Sequence, residues 1–310
     1  MITQEVYFLI APVRSGSTFL KLMLDHHHDI SNPGEFDFIF DKISESGEFP
    51  EVNAYIDWLN GNRIFKGKGL KIIETGSFVT LIESFVEQLN SKGVLCLNIH
   101  RHFHKIPLLF SNARYIHLLR DPRDVARSCI GMGWGGHVYK TVDTWTIAEK
   151  SWDKLSQSLD EAQYIELRYE ELLGNVQIEL TTICHFMGNK FDPNMLTYPE
   201  HSTYSKPDKS LSYQWRSKYT DREKELIEYK LKDYINIKGY ERLYPSPIRP
   251  GFIENLLINF DNKTYKIKAG IKKYGINLYL QLILVRRLKI KSWQYQVQCQ
   301  IDRIDIRHLK

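Results

Sequence analysis

The chain has 310 residues, 43% hydrophobic and 25% charged, an ordinary balance for a soluble globular protein and enough length for one large α/β domain or two small ones. Its net charge of +5 is uneven: residues 251–310 hold twelve Lys/Arg against four Asp/Glu, and with no nucleic-acid-binding module beside them no nucleic-acid partner is expected. Cys96, Cys129, Cys184 and Cys299 lie far apart without zinc spacing, no stretch is apolar enough to span a bilayer, and nothing reads as a secretory leader, so a cytoplasmic protein with free thiols is expected.

In chain order, Val6–Ala11 reads as a buried strand ended by Pro12, and Thr18–Asp25 as a helix. Leu70–Ile73 is a second candidate strand, Phe78–Asn90 a helix, Val94–Ile99 a strand and Phe103–Phe110 a short helix. Arg114–Leu119 follows as a strand, and helical spacing resumes over Asp121–Ile130. Thr141–Asp160 is predicted as a long helix, Tyr164–Leu167 as the last strand and Gly174–Met187 as a helix. Residues 192–216, with three prolines, read as loop, and Asp221–Leu231 as a charged, exposed helix. Strands separated by helices predict an α/β, P-loop-like three-layer fold: a central, mostly parallel sheet flanked by helices, with ligands at its carboxyl edge.

The first strand runs into Pro12-Val13-Arg14-Ser15-Gly16-Ser17-Thr18 at a helix start. A helix N-terminus exposes unpaired N–H groups and partial positive charge, a natural anion site. Gly16 lets the backbone approach an anion, the hydroxyls add donors, and Arg14 adds a fixed cation. A plain helix cap is the competing reading, since Ser and Thr favour that position. The Gly-Lys pair of an ATPase loop is absent. The loop resembles the 5′-phosphosulfate loop of sulfotransferases that use 3′-phosphoadenosine 5′-phosphosulfate (PAPS). Arg14 and the onward run Leu22–His27 look closest to the branch that includes tyrosylprotein sulfotransferases and bacterial relatives. The resemblance implies donor contacts from Arg14, Ser15, Gly16, Ser17, Thr18 and Phe19.

A second segment, Arg114–Ser128, places Arg120 at a strand end and Ser128 eight residues later, about two helical turns on. The family's 3′-phosphate site is an Arg and a Ser at this spacing, and a guanidinium fork with a hydroxyl suits one phosphate. Arg123, Asp124 and Arg127 are read as surface ion pairs. Tyr164–Leu172 resembles the family's strand and RYExL element, structural in role. Ser210–Lys218 resembles its late nucleotide-covering segment, making Arg216 and Lys218 candidate contacts to the 3′-phosphate or sulfonate, with solvated loop charges the alternative.

Sulfonate transfer needs a base for the acceptor's proton. Glu35 stands where the tyrosylprotein branch places its catalytic Glu. His100 matches the last position of the Lys-Thr-His motif of cytosolic small-molecule sulfotransferases. Glu35 ranks ahead, because Asn98 replaces the motif's Lys and leaves a sulfonate contact to Arg101 or Lys105. Glu35, Asp37 and Asp41 form a candidate acidic acceptor pocket or are solvated loop charges. Gly131–His137 reads as a flexible acceptor-side lid, with Trp134, His137, Tyr139 and Trp145 near the acceptor. His26-His27-His28 is read as a helix end rather than a metal site, and no metal is expected.

Residues 1–250 are expected to form the sulfotransferase domain, and 251–310 a basic, largely helical extension packed on it or mediating homo-oligomer contact, with membrane contact the minority reading. The expected activity moves the sulfonate of PAPS to a hydroxyl, in preference to an amine, of a small-molecule acceptor, leaving 3′-phosphoadenosine 5′-phosphate (PAP). The alternatives are a metal-dependent nucleotide kinase and a non-catalytic nucleotide-binding protein.

Overall fold

The computed structural model describes residues 1–288 and 291–308. Its first half runs β1 (Val6–Ile10), α1 (Ser17–Asp25), β2 (Ile30–Glu35), α2 (Val52–Leu59), α3 (Arg63–Lys68), α4 (Phe78–Leu89), β3 (Val94–Ile99), α5 (Ile106–Leu109) and β4 (Ala113–Leu119). There follow α6 (Pro122–Gly131), α7 (Val138–Ser156), β5 (Tyr164–Arg168), α8 (Tyr169–Gly174) and α9 (Val176–Phe186). The chain continues with α10 (Trp215–Lys218), α11 (Asp221–Leu231), α12 (Tyr234–Ile237), α13 (Phe252–Tyr274), α14 (Ile276–Leu288) and α15 (Lys291–His308).

The strands lie in the order β2-β3-β1-β4-β5, and every pairing is parallel. Successive residues of β1 alternate between two cores, as strand geometry requires. Val6, Phe8 and Ile10 join Phe36, Phe38, Phe85 and Trp152 on one face; Tyr7 and Leu9 join Leu20, Met23, Leu172 and Ile183 on the other. Burial on both faces explains why β1, β3 and β4 read as unbroken apolar runs. The connection after β1 leads toward β2 and that after β4 toward β5, so their carboxyl ends flank a topological switch point, where α/β sheets bind ligands.

Two expectations about the sheet change. Leu70–Ile73 is not a strand: Lys71 exchanges both backbone hydrogen bonds with the Gln88 side-chain amide, and Ile73 is exposed. The second strand in sequence is instead β2, Ile-Ser-Asn-Pro-Gly-Glu, whose register on β3 shifts between Ser31 and Gly34. A proline and a bulge suit the edge position that β2 occupies.

By internal contacts the chain divides into two units, one of Met1–Asp121 with Thr144–Gln214, holding the sheet, and one of Pro122–Asp143 with Trp215–Lys310. In the second unit Arg123 and Asp124 are buried, not surface ion pairs. The Arg123 guanidinium lies 3.6 Å from the Trp215 ring centre and 3.1 Å from Glu228, while Asp124 accepts the Trp215 backbone N–H. Glu228 also accepts the backbone N–H groups of Leu243 and Tyr244, so this buried charge pair is well hydrogen-bonded. Helix α11 is accordingly amphipathic rather than simply exposed, burying Leu226, Ile227, Glu228 and Leu231. Among the described residues no disulfide forms, and no helix is long and apolar enough to cross a membrane.

Inside the first unit, His117 on β4 is fully buried between two carboxylates, Nδ1 at 2.8 Å from Glu166 and Nε2 at 3.2 Å from Glu149, with its ring stacked on Trp152. Burial alone would lower its pKa, but the two carboxylates overcome it and raise the value. The folded state therefore holds the His117 proton more tightly than the unfolded chain. Its stabilisation is complete below the unfolded value of about 6.5 and is lost as pH rises through the higher folded value. Thermal melts across this range should show that decline. His117→Gln should flatten it and cost about 3–5 kcal/mol by leaving Glu149 buried without its cationic partner.

Candidate active site

The Arg14–Thr18 loop joins the carboxyl end of β1 to α1. Its backbone is unusual: Arg14 has φ 71° and Gly16 φ 96°. The N-cap of α1 is Gly16, and no side chain caps the helix, so the serine and threonine of the loop are not serving as caps. The Ser15 hydroxyl is buried with no hydrogen-bond partner among the described residues. Helix N–H groups without a side-chain cap, beside a hydroxyl unpartnered among the described residues, offer donors that an anion could accept. Thr18 is exposed, whereas the Phe19 side chain turns into the core, edge-on to Tyr198 at 5.5 Å.

Tyr169, at the start of α8, holds this loop. A Cβ on Gly16 would fall 2.3 Å from the Tyr169 ring, so only glycine fits there. The opposite partner of the ring is Arg120, whose guanidinium lies 4.2 Å from its centre. Arg120 donates 3.1 Å hydrogen bonds to the carbonyls of Arg14 and Leu211, while its buried Nε has no partner among the described residues. The arginine expected to bind a phosphate clamps the loop. Glu170 accepts the Asp121 N–H, and the Trp145 indole donates to the Arg120 carbonyl, fixing the end of β4. Trp145 is therefore a buried support rather than an acceptor-facing residue.

The two candidate bases, sixty-five residues apart in sequence, meet. Glu35 ends β2 and is paired in register with Asn98 on β3; His100 follows β3 directly. His100 Nε2 lies 3.8 Å from Glu35 Oε1, with the imidazole almost buried and the carboxylate 46% exposed. His100 Nδ1 is 2.9 Å from the Ala11 carbonyl at the end of β1. A carbonyl only accepts, so Nδ1 carries a proton, and Nε2 faces Glu35.

Asp37 is buried beneath this pair and accepts the backbone N–H groups of His100 and Arg101. Burial pushes its pKa up, against the opposing pull of His100 and Arg101. Asp41 is held by Arg101 through two 2.7 Å bonds. Of the three acidic residues read as a pocket, Asp41 is tied closely to Arg101, Asp37 lies 3.8 Å from the same guanidinium, and Glu35 lies 3.8 Å from His100. Neither expected substitute for the missing motif lysine is available: Arg101 is engaged by Asp41, and Lys105 is buried against the Ile43 carbonyl and Glu45. Asn98 itself donates to the Ser17 carbonyl at 3.4 Å, and its buried Oδ1 has no partner among the described residues. Lys68, which no sequence pattern singled out, binds the Pro33 carbonyl and lies 5.1 Å from the Phe36 ring; burial lowers its pKa to about 8.

The remaining predicted residues belong to the second unit. Ser128 lies half-buried on α6, and Arg216 and Lys218 are exposed on α10. Trp134 is 46% exposed, and His137 and Tyr139 are half-buried at the start of α7. The expected flexible lid is tied down: Gly136 donates to Asn262, and a Cβ there would meet Tyr265 at 2.3 Å. His27, His28 and Asp192 form a cluster with ligand-like spacing. The ring nitrogens are already engaged, however: His27 by the Asp29 N–H and the Lys190 carbonyl, His28 by Asp192 and Asp29.

The model of the sulfotransferase family matches residues 7–193, more than half of the chain. The chain belongs to the sulfotransferase family. Among curated relatives, omega-hydroxy-beta-dihydromenaquinone-9 sulfotransferase Stf3 of Mycobacterium bovis and of Mycobacterium tuberculosis are each 26% identical over 188 residues, covering 53% of this chain and 46% of theirs. The chain thus spans about half the length of the curated relatives it matches. Among solved structures, the sulfotransferase domain of the Synechococcus PCC 7002 olefin synthase superposes with a TM-score of 0.56 at 20% identity, covering 74% of this chain and 96% of that one. The sulfotransferase domain from the curacin biosynthetic pathway gives 0.54 at 18% identity, covering 78% and 99%. At these identities the likeness establishes the P-loop-like α/β fold that the family shares.

The Gly16–Tyr169 contact makes a direct prediction. Gly16→Ala should destabilise the protein by roughly 1–3 kcal/mol, through a strained φ and the clash with the ring. Adding Tyr169→Ala should restore part of that loss relative to Tyr169→Ala alone. Thermal or urea unfolding of the three variants measures both effects, and an unchanged stability of Gly16→Ala would contradict the contact.

Proposed function

We propose that this sulfotransferase-family protein moves the sulfonate of PAPS to a hydroxyl of a small-molecule acceptor. The carrying observation is the convergence, at one sheet edge, of an uncapped anion loop clamped by Arg120 and a Glu35–His100 pair 3.8 Å apart. The Ser15 hydroxyl, Asn98 Oδ1 and Arg120 Nε, each buried without a partner among the described residues, support a bound polar ligand here. The curated relatives act, by their name, on an omega-hydroxy compound, which favours a hydroxyl over an amine.

In this reading Arg14 and the N–H groups at the start of α1 hold the 5′-phosphosulfate. Arg120 serves the 3′-phosphate with Ser128, and Arg216 and Lys218 cover the nucleotide. Trp134, His137 and Tyr139 serve the acceptor. The acceptor oxygen attacks sulfur as the bond from sulfur to the 5′-phosphate oxygen breaks, and PAP leaves with that electron pair. The acceptor proton passes to Glu35. His100, aimed by the Ala11 carbonyl and 3.8 Å from that carboxylate, stands beside it as the alternative base for the same proton. The sulfonate carries less charge than a transferring phosphoryl group, so positioned donors suffice without a metal.

Glu35→Gln should lower kcat by about 100-fold or more, while PAP affinity stays within about threefold. His100→Gln should also reduce kcat. Near-normal turnover of Glu35→Gln, with collapse of His100→Gln, would move the base to His100. Label transfer from sulfur-35 PAPS should persist with chelator present. Turnover that needs ATP and magnesium would replace the proposal with a nucleotide kinase, and tight PAP binding without any turnover would replace it with a binding protein.

A further inference from the structure

Helix α13 has two unlike faces within its unit. One is packed: Ile258 is buried, Asn262 binds the Gly136 N–H, Tyr265 donates to the Ile130 carbonyl, and Glu254 forms paired bonds with Arg222. The other is exposed and apolar. Phe252 is 80% exposed, Ile253 73%, Leu256 53% and Phe260 66%. Their spacing of one and four residues places them on a single arc, which Ile267 extends by two turns. Single exposed apolar residues are ordinary, but a contiguous arc of this kind marks an interaction surface. Helix α14 adds a stripe of its own, Ile276, Leu280, Leu284 and Leu288, every fourth residue and each at least 45% exposed.

The charges say what covers this surface. Over residues 251–288 there are seven Lys/Arg and two acidic residues, Glu254 and Asp261. At 100° per residue, Lys263 falls within the apolar arc, Lys266 on one border and Lys268 on the other. Both acidic residues fall outside the arc, where they line a cleft of about 600 Å³ with Arg222 and His137. Apolar residues bordered by lysines, with acids turned away, suit a surface that is greasy inside and anionic outside. Long lysine stems can lie along the acyl boundary while their ammonium groups reach phosphates. An interface between two copies of the chain would be expected to lack lysine at its centre.

We propose that α13, with the exposed stripe of α14, docks this protein on the surface of a bilayer rich in anionic phospholipid. The helix lies in the interface plane and does not cross the membrane. The proposal rests on this face alone, so its failure would leave the sulfotransferase reading untouched.

The test is co-sedimentation of the full chain with large vesicles, either phosphatidylcholine alone or with about one third phosphatidylglycerol. The wild type should bind the anionic vesicles at least about tenfold more tightly than the neutral ones, and raised salt should weaken that binding. Leu256→Ser with Phe260→Ser removes the apolar term, and Lys263→Glu with Lys266→Glu reverses the charge. Each pair should cut binding to anionic vesicles roughly tenfold or more while the circular dichroism melt stays in place. Absence of binding, equal binding to both vesicle types, or variants that bind like the wild type would overturn the proposal. So would a concentration-dependent dimer in sedimentation velocity that becomes monomeric in the Leu256→Ser, Phe260→Ser variant.

Discussion

The contact between the Tyr169 ring and the Gly16 backbone organises the sheet's ligand-binding edge. The ring denies position 16 any side chain, so the loop can hold a left-handed turn that leaves the start of α1 uncapped. The same ring supports the Arg120 guanidinium, which in turn holds the Arg14 carbonyl. One aromatic side chain thereby couples the loop after β1, the end of β4 and the start of α8. An element read from sequence as merely structural is the wall against which the loop after β1 packs, and its neighbour Glu170 holds the next turn through Asp121.

The Glu35–His100 pair depends on the sheet in a different way. Three parallel strands end side by side: β2 supplies Glu35, β3 leads into His100, and β1 supplies the Ala11 carbonyl that orients the imidazole. Asp37 secures the backbone on which His100 sits. None of these positions depends on a flexible side chain finding its place, because each backbone point is set by strand register. A separation of 3.8 Å is too long for a direct hydrogen bond between the imidazole and the carboxylate.

Much of this was legible in the sequence, for reasons that also explain the gaps. Strands β1, β3 and β4 are buried on both faces, so their apolar runs stand out; β2 hides because Asn-Pro-Gly reads as a turn, and only a vacant sheet edge makes it a strand. Leu70–Ile73 has strand-like residues but no neighbouring strand to pair with, and Gln88 takes its backbone bonds instead. The anion loop is local in sequence and could be read directly. The nearness of Glu35 and His100 is created by β2–β3 pairing and has no sequence signature, so the two appeared as rivals rather than neighbours. Arg123 and Asp124 looked solvated because nothing near them in the chain announces Glu228 and Trp215, a hundred residues on.

Strand β2 has a further consequence. The outer flank of a sheet is normally a template for any passing extended chain. Here Pro33 withholds one N–H, the bulge between Ser31 and Gly34 spoils the repeat, and Lys68 occupies the Pro33 carbonyl. The sheet is thus protected against growing sideways at the strand that ends in Glu35. A margin so built discourages another polypeptide from annealing beside that strand.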